Sequence, residues 1–291
     1  MGQMNWNAPE IRTIIRSALH EDSAHSDLTT RILIDSTWRI DAAIVAKQNG
    51  VVAGIPLAER FLKALDPAIR FRQIIADGTQ VRPGMILATF RGKARSVLSA
   101  ERPALNALQH LSGIATFTSN QVKKLKGTRV HLYDTRKTLP GWRSLQKYAV
   151  RCGGGSNHRM SLGDAVLIKE NHLEISRKAG NDWVTRVHKA MKKRRVFLQM
   201  EVQTERDLRD ALRLKPQRVL LDNLKPADLT RMMRILRKAI PAIEIEFTGG
   251  IKPDDLRSLA KLRPDRISMG CLTHSTPAFD CSLDITHVYP R

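Results

Sequence analysis

Residues 196–222 read VFLQMEVQTERDLRDALRLKPQRVLLD, and the pattern within them predicts a parallel β/α unit. Two short apolar runs, Val196–Glu201 and Arg218–Asp222, have the length of buried strands. The segment between them, Thr204–Leu214, has helical periodicity, and its first threonine is followed three residues later by an aspartate, close to a capping box. Because parallel strands need a crossover of this kind, we expect the two strands to share one sheet.

The same alternation continues on both sides of this unit. Further strands are predicted at Val130–Asp134, Ala165–Lys169, Glu244–Thr248 and Arg266–Gly270, with helices at Pro226–Ala239 and Pro253–Leu262. Both helices have proline in the first turn, where its missing N–H costs nothing. Repeated βα units of this kind predict a β/α barrel. An open doubly wound sheet is the alternative, and the lack of a GxGxxG turn after any strand argues against it.

The first third of the chain has a different pattern. Trp38–Phe90 alternates apolar and polar residues between turn signals such as Asn49-Gly50 and Asp77-Gly78, which predicts a mainly antiparallel sheet. Other elements are expected at Ala8–His20, Pro56–Leu65 and Ser99–Leu125 as helices and at Ser282–Ile285 as an edge strand of this sheet. The predicted domains are therefore 1–115 joined by the tail 276–291, and 116–275.

The formal net charge of +21 attracts anions of many kinds, including nucleic acid and phosphorylated metabolites. The basic residues are spread over predicted helix faces, and the chain has three Tyr and no aromatic RNA-binding motif. We therefore expect solvated basic faces rather than a nucleic-acid footprint. Three cysteines without CxxC spacing, no secretory leader and no apolar run of membrane length predict a cytoplasmic protein without a membrane partner.

Charged residues and glycines follow the predicted strands in succession. These residues are Arg136 and Lys137, Lys169, Glu201, Asp222, Thr248–Gly250 and Gly270. In a β/α barrel the carboxyl ends of the strands meet at one rim, and that rim carries the chemistry. We therefore expect these residues to lie close together.

Two members of this set, Glu201 and Asp222, are carboxylates at the ends of neighbouring strands. Such a pair can bind Mg²⁺ directly or through its waters, or stabilise a positive charge that develops on a substrate. A pair of salt-bridged strand caps is the alternative that the residues alone leave open.

Two glycine turns at adjacent βα positions predict a phosphate site. Thr248-Gly249-Gly250 precedes the helix near Pro253, and Ser268-Met269-Gly270 repeats the arrangement one unit later. Glycine lets a phosphate approach backbone N–H groups and a helix N-terminus. Adjacent turns of this kind late in a barrel form a recurrent phosphate site.

The predicted site also has a cationic side, next to Thr135 and the glycine-rich segment Gly153–Gly155. Its members are Arg136, Lys137, Arg159 and Lys169. Four cations brought together predict a ligand with several negative charges, because they would otherwise repel one another at a high cost. They could also point outward into solvent. His158 is equally compatible with a structural hydrogen-bonded role and with ligand contact.

Taken in order, the motifs resemble those of the quinolinate phosphoribosyltransferase family, the decarboxylating nicotinate-nucleotide pyrophosphorylases of NAD biosynthesis. The resemblance covers nearly the whole chain. The motifs that carry it are Glu21-Asp22, Asp27–Thr30, Glu101-Arg102, Leu105-Asn106, Leu111–Thr116, Thr135–Thr138, Lys147–Val150, Gly153–Arg159, Lys169–His172, Leu221–Asn223, Thr248–Gly250 and Gly270–Ser275.

The resemblance implies a homodimer whose subunits have an N-terminal α/β sandwich domain and an incomplete parallel β/α barrel, the type II phosphoribosyltransferase fold. It implies that Arg102 of each subunit completes the active site of the other. Arg136, Arg159 and Lys169 would hold the two quinolinate carboxylates, with Thr135 and His158 nearby. The residues implied to bind phosphoribosyl pyrophosphate and Mg²⁺ are Lys137, Glu201, Asp222, Thr248, Gly249, Gly250, Met269, Gly270 and Cys271.

The implied reaction is Mg²⁺-dependent transfer of ribose 5-phosphate from phosphoribosyl pyrophosphate to quinolinate with loss of CO₂, and Glu201, Asp222 and Lys137 would be its catalytic residues. A related transferase with another acceptor, such as nicotinate, and a basic nucleic-acid-binding module are the alternatives. Two positions depart from the family. Thr248 stands where Ser is usual, which keeps the hydroxyl. Gln203 stands where a second acid is common, which puts a metal contribution from position 203 in doubt.

Overall fold

The computed structural model describes residues 4–180, 182–193 and 196–290, and the chain forms two compact units. The first comprises Met1–Asn120, Thr138–Gly154 and Cys271–Arg291, and the second comprises Gln121–Lys137 and Gly155–Gly270. The predicted domain bounds place Thr138–Gly154 with the barrel instead, and those bounds stay a prediction. Within the described residues, no helix is long and apolar enough to cross a membrane.

The first unit is built on a four-stranded antiparallel sheet in the order β12-β1-β5-β3. Its strands are β1 Arg39–Ala46, β3 Arg70–Gln73, β5 Ile86–Lys93 and β12 Cys281–Tyr289, and a small separate sheet joins β2 Gly50–Val51 to β4 Gln80–Val81. The expected edge strand in the C-terminal tail is confirmed, because β12 pairs with β1 antiparallel and forms one edge of the sheet.

The helices of this unit pack apolar residues at helical spacing. They are α1 Pro9–Glu21, α2 Leu28–Leu33, α3 Ile55–Leu65, α4 Ala94–Lys124, α5 Arg143–Cys152 and α11 Cys271–His274, with the end of α4 crossing into the second unit. In α1 the buried residues Ile11, Ile15 and Leu19 lie four residues apart, on one face. α4 begins at Ala94, earlier than predicted, and the buried Ala94 and Val97 anchor its added turn in the core.

The second unit is a six-stranded parallel sheet in the order β6-β11-β10-β9-β8-β7. Its elements are β6 His131–Tyr133, β7 Ala165–Ile168, α6 Glu170–Lys178, α7 Trp183–Lys193, β8 Phe197–Val202, α8 Glu205–Leu214, β9 Arg218–Asp222, α9 Pro226–Ala239, β10 Glu244–Thr248, α10 Leu256–Lys261 and β11 Arg266–Ser268. All six predicted strands are confirmed. β6 and β7 form the two edges of the sheet, so the barrel is incomplete.

Two predicted helix starts can be compared with the structure. Thr204 accepts a hydrogen bond from the Asp207 N–H at 3.2 Å, and Asp207 accepts one from the Thr204 N–H at 3.0 Å, so the capping box of α8 is confirmed. The predicted helix at Pro253–Leu262 is wrong in its first turn. A 3₁₀ turn, Pro253–Asp255, precedes α10, because the Asp255 carboxylate accepts from the Lys252 N–H and caps this turn separately.

One face of the parallel sheet carries a row of polar side chains along β10. At its amino-terminal side, Glu244 binds two arginines of neighbouring strands: Arg218 donates to it at 2.8 Å, and Arg266 donates to its other oxygen. The two guanidinium groups stack on aromatic rings, Arg218 on Phe197 and Arg266 on Tyr133. Because side chains on a strand alternate between faces, Glu246 and Thr248 share the face of Glu244.

Candidate active site

The carboxyl edge of the parallel sheet brings the predicted rim residues of the second unit to one end of the strands. Asp222 ends β9 and Thr248 ends β10, and the two residues are paired in register. Glu201 is the penultimate residue of β8, and Lys169 directly follows β7. Because all six strands run parallel, these side chains meet at one edge, as the sequence predicted.

Glu201 and Lys169 form an ion pair at this edge. The Lys169 ammonium donates to Oε1 of Glu201, whose side chain is only 7% exposed, whereas that of Lys169 is 42% exposed. Burial raises the pKa of Glu201 to about 7; the Lys169 contact opposes this shift, and the negative charge of Asp222 adds to it. Glu201 is therefore a carboxyl group whose ionisation depends on its neighbours.

Asp222 is held by Gln203, which the sequence marked only as a departure from the family. The Gln203 side-chain amide donates to Oδ2 of Asp222 at 2.6 Å. A carboxylate at position 203 could not donate this hydrogen bond. Gln203 therefore orients Asp222 through this hydrogen bond. Because the Gln203 amide is neutral, it adds no negative charge beside the Asp222 carboxylate.

The turn after β10 needs glycine at position 249. Gly249 has a φ of +84°, and a Cβ built there would lie 2.4 Å from the backbone nitrogen of Asn223 and 2.5 Å from Oδ1 of Asp222. The Asn223 N–H in turn donates to the Thr248 carbonyl at 3.0 Å. The turns after β9 and β10 are therefore packed backbone against backbone, which explains the glycine without any ligand.

The Thr248 hydroxyl faces the next strand. Ser268, at the end of β11, has its hydroxyl 3.0 Å from that of Thr248. The backbone of Met269 is also fixed, since its N–H donates to the carbonyl of Tyr133 on β6 at 3.0 Å, and its side chain is buried. The adjacent turns thus have a defined geometry, whereas their contact with phosphate stays a prediction.

His158 points into the interior of the second unit. Its side chain is 7% exposed, and its Nε2 lies 3.5 Å from Oε2 of the fully buried Glu246. Its Nδ1 accepts from the Arg159 N–H at 2.9 Å, while the buried Asp134 accepts from the His158 N–H at 2.8 Å and from the Asn157 side chain at 2.6 Å. Of the two roles that the sequence left open for His158, this geometry favours the structural one.

Arg136 and Arg159 are close enough to affect each other's charge. Burial lowers the pKa of Arg159, and the positive charge of Arg136 lowers it further. Arg159 donates to the Ala165 carbonyl at 2.8 Å, while the buried Nε of Arg136 makes no hydrogen bond to a described residue. Two like charges in partial burial are unfavourable unless an anion lies between or beside them.

The remaining predicted residues occupy varied positions. Thr135 accepts a hydrogen bond from the N–H of the exposed Lys137 at 3.0 Å, which fixes a turn directly after β6. Arg102 and Cys271 belong to the first unit. The Arg102 side chain is 61% exposed and lies 3.7 Å from Glu101, so it is open to solvent in the single chain.

Two residues of this network were not identified from the sequence: Asp134 and Glu246. A signal existed for Glu246, because a second acid stands two residues after Glu244 in an otherwise apolar strand. Alternation puts both acids on one face of the sheet, which indicates a polar interior. Asp134 directly follows the short strand β6 and has no comparable signal.

Comparisons with known proteins agree with this architecture. The family model for the quinolinate phosphoribosyl transferase C-terminal domain matches residues 114–284, and that for the N-terminal domain matches residues 27–112. A probable nicotinate-nucleotide pyrophosphorylase of Methanocaldococcus jannaschii is 40% identical over 278 residues, which is 94% of this chain and 96% of the relative. A nicotinate-nucleotide pyrophosphorylase of Mycobacterium leprae is 37% identical, over 94% of this chain and 96% of its own.

A solved structure of a similar protein has the same architecture. The structure of the nicotinate-nucleotide pyrophosphorylase from Francisella tularensis superposes with a TM-score of 0.87 at 34% identity, covering 96% of this chain and 98% of the other.

Proposed function

This chain belongs to the quinolinate phosphoribosyltransferase family, and we propose that the carboxyl edge of its parallel sheet catalyses that family's reaction with the residues described above. The enzyme transfers ribose 5-phosphate to quinolinate and produces nicotinate mononucleotide in the de novo synthesis of NAD. Pyrophosphate leaves from the ribose and CO₂ leaves from the pyridine ring, whose carbon takes up a proton in its place.

Quinolinate recognition is assigned to Arg136 and Arg159. The observation that carries this assignment is the proximity of the two guanidinium groups, with the buried Nε of Arg136 lacking a hydrogen bond to any described residue. A dicarboxylate supplies two anionic groups, and arginine binds carboxylates through two parallel hydrogen bonds. Lys169 joins them by turning from Glu201 towards a substrate carboxylate.

Phosphoribosyl pyrophosphate is assigned to the other residues of the carboxyl edge. Lys137 lies in an exposed turn, where it can offset the negative charge of the departing pyrophosphate. The backbone of Thr248–Gly250 and Met269–Cys271 would bind phosphate groups. The carboxylates of Glu201 and Asp222 would stabilise the positive charge that develops on the ribosyl carbon as its bond to pyrophosphate breaks.

Mg²⁺ fits this donor set. Among the described residues no group of three or more His, Cys, Asp and Glu side chains could hold a metal ion. Mg²⁺, however, commonly uses one or two carboxylates together with water and substrate phosphates. Glu201 and Asp222 would provide those carboxylates, directly or through water, and the ion would supply charge neutralisation for the pyrophosphate.

The ring nitrogen of quinolinate carries its own lone pair, so attack on the ribosyl carbon needs no general base. The protein residues then act by positioning two substrates and by matching their charges. Once the nitrogen is quaternary, it accepts the electron pair left by the departing CO₂. This explains why the edge carries cations, two acids and glycine turns rather than a nucleophile.

The proposed enzyme is a cytoplasmic homodimer in which Arg102 of each subunit reaches the site of its partner. The 61% exposure of the Arg102 side chain supports this, because its guanidinium is accessible to a second chain. The three free cysteines, Cys152, Cys271 and Cys281, are consistent with a reducing compartment.

A direct assay tests the proposed function. Purified protein supplied with Mg²⁺, phosphoribosyl pyrophosphate and quinolinate should form nicotinate mononucleotide and CO₂ in equal amounts. In a competition with equal concentrations of nicotinate, quinolinate should be the acceptor that is consumed. Preferential use of nicotinate would instead identify a related transferase with a monocarboxylate acceptor, and no product with either would refute the assignment.

A further inference from the structure

The first unit contains a cleft that has no part in the proposed reaction. It lies along α1 and α3, near the loop that follows α1, and its volume is about 780 Å³. Cavities of roughly 300–1,000 Å³ are the usual size for small-molecule and cofactor sites. The cleft is therefore large enough for a nucleotide.

Basic side chains enter this cleft from both helices. Arg12 and Arg16 stand on α1, and Arg60 and Lys63 stand on α3. One acid, Glu59, also lines the cleft, and its carboxylate is bound by Lys63 at 2.6 Å. The ion pair neutralises those two residues, so the cleft has a positive balance that comes from the three arginines.

Two of these arginines have no anionic partner. Arg16 and Arg60 make no ion pair or side-chain hydrogen bond with any residue in the described ranges, and the Nε of Arg60 is buried. A charged group that is partly removed from water and has no counter-ion carries an energetic cost. An anion bound at the terminal guanidinium nitrogens would offset this cost, which makes Arg60 the residue that most directly indicates a ligand.

The cleft also has an aromatic and apolar part. Trp6 lines it and is held in place by an edge-to-face contact with Tyr148, with ring centroids 5.0 Å apart. The buried Ile15 and Leu19 and the neighbouring Ala64 form an apolar surface below. A flat ring can stack on Trp6 while an anionic group meets the arginines.

We propose that this cleft binds a nucleotide, with the base against Trp6 and the phosphate between Arg16 and Arg60. The pairing of an aromatic wall with unneutralised arginines distinguishes it from a plain basic surface. None of the residues that line the cleft is among those assigned to quinolinate or phosphoribosyl pyrophosphate above. It goes beyond the proposed function and would give the enzyme a way to respond to nucleotides other than its own substrate and product.

Calorimetric titration of the full chain tests the proposal, with AMP, adenosine and inorganic phosphate as probes. AMP should bind, and Arg60→Gln and Arg16→Gln should each weaken it by roughly tenfold or more, the range for loss of a charged hydrogen bond. Adenosine and phosphate should each bind at least about tenfold more weakly than AMP, because each lacks one of the two groups recognised. Arg72→Gln, which removes an exposed arginine of β3 in the same unit, is the matched control.

A second set of variants separates the cleft from the proposed substrate site. Lys137→Ala should lose transferase activity and keep AMP binding at the cleft, whereas Arg16→Gln should keep kcat and bind AMP roughly tenfold or more weakly. Because Arg16 is exposed, its replacement does not endanger folding. AMP binding that survives both arginine variants, or that disappears only with Lys137→Ala, would overturn the proposal without affecting the proposed function.

Discussion

Nε2 of His158 lies 3.5 Å from Oε2 of Glu246, in the interior of the second unit. His158 belongs to a loop and Glu246 to the centre of β10, and neither side chain is more than 7% exposed. Since Nδ1 of His158 accepts a backbone hydrogen bond, the proton of the neutral ring is on Nε2, facing the acid. This contact ties the loop that carries Arg159 to the sheet.

Replacing Glu246 should destabilise the protein in a pH-dependent way. Burial by itself acts to raise the pKa of Glu246, but His158, the Ser268 hydroxyl and the charge of Arg218 together hold the pKa below the ordinary value of 4.5. The stabilisation is thus present above about pH 4.5 and is lost as the pH falls through the lower, folded-state pKa. Glu246→Gln should reduce the free energy of unfolding by about 1.5–3 kcal/mol at neutral pH, the range for loss of a hydrogen bond to a charged group.

Urea unfolding at several pH values checks this prediction. The difference between wild type and Glu246→Gln should narrow as the pH falls below 4.5. Glu10→Gln, at an exposed position of α1, should change the stability little at any pH. A constant difference across the pH range would show that the charge of Glu246 contributes nothing.

Ionisation of Glu201 should govern the acidic limb of the activity profile. Burial raises its pKa to about 7, so the group is protonated below that pH and ionised above it. If the carboxylate is the active form, kcat/KM should rise with pH, by up to about tenfold per unit, and level off above about pH 7. Initial rates at low substrate concentration from pH 5.5 to 8.5 measure this.

The free energy of unfolding should have the opposite pH dependence: it should fall as the pH rises, whereas kcat/KM rises. An acid whose folded-state pKa is raised loses stabilisation as the pH rises from its ordinary 4.5 towards 7, because the unfolded chain ionises first. Glu201→Gln should remove this decline and also flatten the acidic limb of kcat/KM. A wild-type profile without an acidic limb would contradict the assigned role of the Glu201 carboxylate.

Gly249→Ala should destabilise the protein by more than the unfavourable backbone angle at position 249 alone would. The side chain would adopt a left-handed conformation and also press on the backbone nitrogen of Asn223, 2.4 Å away. Gly127 is a matched control, because its φ of +85° is nearly the same and nothing lies within 4 Å of its Cβ position. Gly127→Ala should cost about 1–2 kcal/mol.

Thermal unfolding of the two variants checks the difference. Gly249→Ala should unfold at a lower temperature than Gly127→Ala, and the KM for phosphoribosyl pyrophosphate should rise only in the former. Equal stability of the two variants would mean that the turns after β9 and β10 separate without cost.

Arg136→Ala and Arg102→Ala should each lower kcat/KM. If each arginine meets a substrate carboxylate, the loss in transition-state binding energy should be on the order of 2–5 kcal/mol. If Arg102 acts in the site of its partner, mixing the two variants after dissociation should restore activity, up to roughly a quarter of wild type for random pairing in a dimer. Activity of the mixture equal to the average of the separate variants would place Arg102 in its own subunit's site. Arg129→Ala, at an exposed position, is the control.

Most of the fold could be predicted from the sequence because its signals are local. Apolar runs such as Arg218–Asp222 and Glu244–Thr248 match the strands of the structure at both ends, and the capping residues of α8 are correct. The prediction of one continuous helix from Pro253 was wrong in its first turn. A second acid and a proline favour a separately capped turn before α10.

The candidate site could be predicted as a set of residues but not as a set of contacts. Glu201, Asp222 and Lys169 were expected at one edge, since the ends of parallel strands must meet there. The partner of Asp222 was missed, because Gln203 reads as the loss of an acid until its amide is seen to donate to Asp222.

The sequence by itself determined the strands, the helices between them, the family and the edge that carries the polar residues, because periodicity, caps and chain order are sufficient for these. Only the tertiary structure decided that Lys169 contacts Glu201 and that His158 turns inward to Glu246. Those pairings depend on side-chain directions on strands and loops far apart in the chain, and on which groups are removed from water. The unpartnered Arg60 beside Trp6 is likewise visible only when α1 and α3 are packed together.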